Sequence, residues 1–138
     1  MRKLLLVLLV LWIAPVSTAG AQVFDTIEDV ESYLASETIG EDQQVFIVRS
    51  LYPFTVDLEF HATDSGGAWP GNGEVYSLNN NRWNVFILSC SPGENICYGA
   101  GARNRYDLYW GIGVDGSLGC SECCYKCAGG TSRAIILK

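Results

Sequence analysis

The sequence predicts a mainly β fold: a small antiparallel β-sandwich or barrel-like domain, disulfide-stabilised, with a short N-terminal amphipathic helix. Three observations carry this expectation. Phe54, Val56, Leu58 and Phe60 alternate with Thr55, Asp57, Glu59 and His61, the period-two pattern of a strand with one buried and one wet face. Thirteen glycines fall after residue 65, spaced as turns between short strands. Six cysteines, four of them within residues 120–127, supply the staples that small exported domains use. A length of 138 residues allows one folded domain. Strands without intervening helical stretches argue against a βαβ array.

Residues 1–21 read as a secretory signal peptide. Arg2 and Lys3 precede an unbroken apolar run, Leu4 to Ala14, which Pro15 ends. Ala19 and Ala21 fit the small-x-small rule and predict cleavage before Gln22, with a cut after Ala19 as the alternative. An eleven-residue helix covers about half of the ~30 Å hydrocarbon core of a membrane. No membrane span is therefore expected after cleavage, and the expected location is the bacterial periplasm or the extracellular space. Cleavage would leave 138 − 21 = 117 residues, with fifteen acids and 9 − 2 = 7 bases, a formal charge of −8. An acidic chain without clustered Lys and Arg argues against nucleic acid as a partner.

Residues 22–44 form an acidic segment with seven carboxylates and no base. Phe24, Ile27, Val30 and Leu34 recur at helical spacing, and Asp25 or Thr26 can cap. The spacing predicts a helix over 26–36, ended near Gly40. Residues 45–138 are expected to form the β domain. Gln44 to Arg49 and Trp83 to Cys90 are apolar on both faces, as central or doubly covered strands are. A shorter strand is expected at 74–78, followed by a turn at Asn79-Asn80-Asn81. Further strands are expected at 95–101, 106–112 and 133–138.

Cys90 and Cys97 flank Ser-Pro-Gly-Glu-Asn-Ile, which reads as a turn between adjacent strands, so a bridge across that hairpin is geometrically allowed. Cys120, Cys123, Cys124 and Cys127 form CxxCCxxC. Six cysteines admit fifteen pairings and spacing selects none of them. Joining adjacent Cys123 and Cys124 is strained, which favours separate partners. A redox CxxC needs a helix N-terminus, and a zinc site needs two separated knuckles; the Gly-flanked cluster offers neither. Structural disulfides are the expectation. No metal and no cofactor is assigned.

Other motifs read as turns. Gly111-Ile-Gly113-Val-Asp-Gly116 matches GxGxxG but lacks the following helix of a dinucleotide site. Asp64-Ser65-Gly66-Gly67 has a serine-protease look, yet His61 lies only four residues before the serine. Asp57, Glu59 and His61 share a strand face, where solvated polar residues are the simplest reading. Nothing names a reaction, and no catalytic residue is assigned.

Trp69-Pro70-Gly71, Val75-Tyr76-Ser77-Leu78, Cys90-x2-Gly93-Glu94-x-Ile96-Cys97-Tyr98-Gly99-Ala100, Tyr109-Trp110-Gly111-x-Gly113 and the final CxxCCYxC resemble a group of small uncharacterised exported bacterial proteins. The GExICYGA and CxxCCYxC pieces are the most specific. The resemblance covers about residues 45–138 and implies export and a disulfide-bonded β domain, with no activity to carry over. The expected function is an exported β-rich binding or envelope-associated structural protein. Trp69, Arg103, Arg105, Tyr106, Tyr109 and Trp110 are the candidate contact residues for a protein, peptide or glycan ligand, because exposed rings beside Arg stack and hydrogen-bond. The alternative is a periplasmic thiol-redox or metal-handling protein using Cys120, Cys123, Cys124 and Cys127.

Overall fold

A computed structural model describes residues 20–138; the signal-peptide reading of residues 1–21 falls almost wholly outside them. Ten strands and one helix follow in the order β1 (Gln22–Phe24), α1 (Ile27–Ser36), β2 (Gln43–Ser50), β3 (Val56–Ala62), β4 (Ala68–Trp69), β5 (Tyr76–Leu78), β6 (Trp83–Ser89), β7 (Asn95–Ala102), β8 (Arg105–Gly111), β9 (Cys124–Lys126) and β10 (Thr131–Leu137). They build a two-sheet sandwich. The first sheet has the order β1-β6-β2-β10. The second has the order β4-β3-β7-β8, with β5 also on β3 and β9 also on β7. Among the described residues, no helix is long and apolar enough to cross a membrane.

The alternation over residues 56–62 produces the sandwich directly. Val56, Leu58, Phe60 and Ala62 face inward and are fully buried, while Glu59 and His61 lie on the outer face. Phe46 of β2 meets Phe60 at 4.6 Å between ring centroids, and Phe86 of β6 meets Phe60 at 5.1 Å. Tyr125 of β9 closes edge-on against Phe46 at 5.4 Å. Val48, Leu88, Ile96, Ile135 and Leu137 complete this core.

The apolar character of both faces of β2 has a simple cause. Phe46 and Val48 point into the sandwich, while Val45 and Ile47 point the other way and are covered by α1. The helix places fully buried Val30 on Val45, Ile47 and Val85, flanked by Phe24, Ile27, Tyr33 and Leu34. Thr26 caps it, its Oγ1 accepting from the Asp29 amide at 3.1 Å. Glu28 and Asp29 sit in the first turn, where the helix dipole favours negative charge. Before the helix, Gln22–Phe24 pairs with β6, so the acidic segment contributes a strand as well as a helix.

One pair departs from the antiparallel expectation. β10 runs parallel to β2. It follows β9, which belongs to the second sheet, so the chain returns to the first sheet by a crossover instead of a hairpin.

The same logic corrects the cysteine reading. Residues 91–94 do turn, but β6 lies in the first sheet and β7 in the second. The turn carries the chain between sheets, and Cys90 and Cys97 do not bond. Cys90 bonds Cys127, and Cys97 bonds Cys124, the residue opposite it in the β7–β9 ladder. Only Cys120–Cys123 closes within the CxxCCxxC segment. Cys123 and Cys124 thus have separate partners, and no cysteine among the described residues is free. The bridge from Cys90 to Cys127 spans a sequence separation of 37 and Cys97 to Cys124 one of 27. Each restricts the unfolded chain by about 3–4 kcal/mol in the chain-entropy treatment.

Because Phe46 touches both Phe60 and Tyr125, Phe46→Ala should lower unfolding free energy by about 3–5 kcal/mol. Urea titration followed by tryptophan fluorescence measures this. A loss below about 1 kcal/mol would contradict the packing described.

Candidate functional site

Among the described residues, the outer face of the second sheet carries a connected set of polar side chains. Asp57, Glu59 and His61 project from it on β3. Facing them across the ladder are Gly101, Gly99 and Cys97 of β7. Two of these three partners have no side chain, so neighbouring segments can lie down on the sheet.

The first to do so is the start of β8. The β7–β8 register shifts between Gly101 and Ala102, which leaves residues 106–108 as extra length on β8. The bulge swings Tyr106 over Gly101, where an added Cβ would lie 2.8 Å from the ring. The Tyr106 hydroxyl then donates to Asp57 Oδ2 at 2.7 Å. Arg103 Nε donates to Asp57 Oδ1 at 2.9 Å, and its Nη2 reaches both Asp57 and Ser77. Asp57 is buried with both oxygens engaged. Its hydrogen bond raises the Tyr106 phenol above the ordinary tyrosine range. Arg103 is thereby committed to the fold, although its side chain is partly exposed.

The second is the segment 112–118, which holds all of the GxGxxG match after Gly111. Gly111, Gly113 and Gly116 all have positive φ, and the Gly116 amide donates to the Gly113 carbonyl at 3.0 Å as a turn. The segment lies flat on β7: a side chain at Gly99 would collide with the Gly113 carbonyl. His61 anchors it. Its Nε2 contacts the Val114 carbonyl at 3.1 Å and Glu59 Oε2 at 3.2 Å. Both are acceptors, so Nε2 carries the hydrogen. Gly116 sits directly on the imidazole, 2.9 Å from Nδ1 to an added Cβ. Burial pushes the Glu59 carboxyl above its ordinary value; His61 opposes this and Asp115 adds to it. Asp115 is held low by bonds from the Ser117 hydroxyl and amide. This arrangement clamps a loop and leaves the His61 side chain only 18 % exposed.

The Asp64-Ser65-Gly66-Gly67 segment is the β3–β4 turn, with the Gly66 amide donating to the Ala62 carbonyl. The Ser65 hydroxyl donates to Glu94 and Asp64 accepts from the Asn95 amide.

The six candidate contact residues do not form one surface. Trp69 lies on β4, at the edge of the second sheet opposite β8. It is half-buried against the main core, and its Nε1 donates to the Ser89 carbonyl at 3.1 Å. Tyr106 and Tyr109 are 53 % and 45 % exposed on β8. Arg105 is exposed beside Asp107, at 3.6 Å. Trp110 is half-buried, its Nε1 donating to the Lys138 carbonyl at 3.2 Å.

The structure adds residues that the sequence pattern misplaced. Phe54 belongs to the alternating run, yet β3 begins only at Val56 and Phe54 is 70 % exposed. Pro53 just before it is the signal: it cannot donate to a ladder and keeps the segment out of the sheet. Tyr52 packs edge-on between Phe54 at 5.8 Å and Trp110 at 5.7 Å. The Arg103 amide donates to the Thr55 carbonyl at 2.9 Å. Leu51 is 45 % exposed alongside. Residues 51–55, the β7–β8 turn and β8 therefore form one continuous rim with several open rings.

The cysteines regroup as well. Cys127 is fully buried in the main core, bonded to Cys90. The sulfurs that converge belong to Cys97, Cys123 and Cys124, all within 4.8 Å of one another. No family model, curated protein or solved structure matches the chain.

The Glu59 environment gives a pH signature. A carboxyl whose folded pKa is raised binds its proton more tightly in the folded chain than in the unfolded one. Its contribution to stability therefore falls as pH rises from about 4.5 to the higher folded value, and is flat on either side. Glu59→Gln should remove this decline, so wild-type stability relative to the variant should drop across that window. Urea unfolding at a series of pH values measures it; a difference independent of pH would contradict the assignment.

Proposed function

We propose that the protein is an exported, disulfide-stabilised β domain that acts by binding, as an envelope-associated component. Three disulfides suit an oxidising compartment such as a bacterial periplasm or the extracellular space. The observation that carries the binding reading is the rim of open rings. Phe54, Tyr106 and Tyr109 stand outside the core, beside Leu51 and Arg105, on a sheet whose β7 is cross-linked to β9 at its far end. Leaving large rings wet forfeits burial of about 1.5–3 kcal/mol each. Aromatic side chains with few rotatable bonds lose little entropy when a ligand stacks on them. Arg105 and Asp107 supply hydrogen-bonding groups at the same edge. A peptide or glycan strand laid along this rim fits that chemistry. Trp69, half-buried at the far edge, has a packing role in this reading, and Arg103 a structural one.

The test is a fluorescence titration of the mature chain against a panel of oligosaccharides and of unstructured peptides. Phe54→Ala and Tyr109→Ala should each weaken binding about tenfold, with the urea midpoint of Phe54→Ala unchanged because its ring is open. Binding unaffected by both substitutions, or no binding in either class, would overturn the reading.

A further inference from the structure

The cysteines were expected to be inert staples, and one feature of their arrangement goes beyond that role and beyond the binding reading. Two disulfides lie side by side. Cys120–Cys123 closes a short loop, and Cys97–Cys124 joins β7 to β9. Their inner sulfurs are close: Cys123 Sγ is 3.8 Å from Cys124 Sγ, and Cys97 Sγ lies within 4.8 Å of both. The two bonds differ in access. Cys120 is exposed in a stretch with no strand or helix, residues 112–123. Its partner Cys123 is buried with Cys97 against Ile112. Cys124 is exposed and lines a shallow depression with Glu122, Tyr125 and Arg133.

We propose that Cys120–Cys123 is a thiol-exchange site, through which an external dithiol reduces the neighbouring Cys97–Cys124 bond. A donor thiolate attacks Cys120 Sγ, the open sulfur. The Cys120–Cys123 bond breaks and its electron pair leaves on Cys123 as a thiolate. The donor's second thiol then displaces Cys120 from the mixed disulfide, giving oxidised donor and a free Cys120 thiol. Released from Cys120, the Cys123 side chain is free to rotate about its Cα–Cβ bond toward Cys97. It attacks Cys97 Sγ, forming Cys97–Cys123 and expelling Cys124 as a thiolate.

The departing group is the one with the open side, and Arg133 in the same depression offers it positive charge, offset in part by Glu122. Cys120 finally attacks Cys123, which restores Cys120–Cys123 and leaves Cys97 as a thiol. In sum, two electrons and two protons pass from the donor dithiol to Cys97 and Cys124. The bond that pins β9 to β7 opens, while Cys90–Cys127, packed in the main core, takes no part. The substrate class is an exposed dithiol, small or borne by a protein.

The experiment treats the mature oxidised chain with excess dithiothreitol, quenches with acid at intervals, alkylates free thiols and maps each cysteine by mass. Cys120 and Cys123 should be labelled first, Cys97 and Cys124 next, and Cys90 and Cys127 last. A Cys97–Cys123 species should appear transiently. In the double variant Cys120→Ser, Cys123→Ser, reduction of Cys97–Cys124 should slow by about tenfold or more, because the intramolecular thiolate is gone. An unchanged rate in the double variant would overturn the proposal. So would wild-type reduction of Cys97–Cys124 before or together with Cys120–Cys123 with no Cys97–Cys123 formed, a result that does not depend on the variant folding.

Discussion

The rest of the structure depends on burying β2 on both of its faces. Phe46 and Val48 hold the second sheet, and Val45 and Ile47 hold α1. Its two edges pair with β6 and with the C-terminal strand β10, and β6 in turn pairs with β1 of the acidic N-terminal segment. Three layers therefore share a single strand of eight residues. The disulfides brace this arrangement, with Cys127 buried in the main core. Cys90–Cys127 ties the end of β6 to the chain just beyond β9, and Cys97–Cys124 holds β9 to β7. β9 carries Tyr125 onto Phe46, so the cross-links support the same central contact.

The polar chemistry of the molecule divides into two kinds. On the outer face of the second sheet, Gly99 and Gly101 provide the space in which the 112–118 segment and the Tyr106 bulge settle. His61, Glu59, Asp57 and Arg103 fasten those coverings, and each is consumed by doing so. At the rim the opposite holds. Phe54 and Tyr109 touch water instead of closing a layer. Tyr106 belongs to both kinds: its ring is half exposed at the rim while its hydroxyl holds Asp57.

Much of the fold was legible because it rests on local periodicity. The two-faced apolar run of β2 and the inward Val56, Leu58 and Phe60 of β3 appear as read, but the other face of β3 is covered where solvated residues were expected: Asp57 is buried, and Glu59 and His61 are largely so, beneath the Tyr106 bulge and the 112–118 segment. The GxGxxG turn was legible from what failed to follow it. Relations between sheets were not. Nothing local to residues 90–97 says that the turn crosses from one sheet to the other, so Cys90–Cys97 looked like a hairpin bridge. The parallel β10 is hidden for the same reason, since direction depends on the sheet from which the chain arrives. In the candidate site, Tyr106 and Tyr109 are about half exposed, Trp69 is half-buried and Phe54 lies outside β3. A Gly-rich loop suggested an open tryptophan, but Trp69 finds the Ser89 carbonyl and the core. An alternating pattern suggested a buried Phe54, but Pro53 delays the strand.

Native-state hydrogen exchange tests the central place of β2 most directly. If three layers hang on this strand, the amides of Phe46, Ile47 and Val48 can exchange only when the whole domain unfolds. Their exchange free energies should then equal the global unfolding free energy from urea titration and share its denaturant dependence. Exchange of these amides through local opening, at free energies below those of β7, would contradict the account.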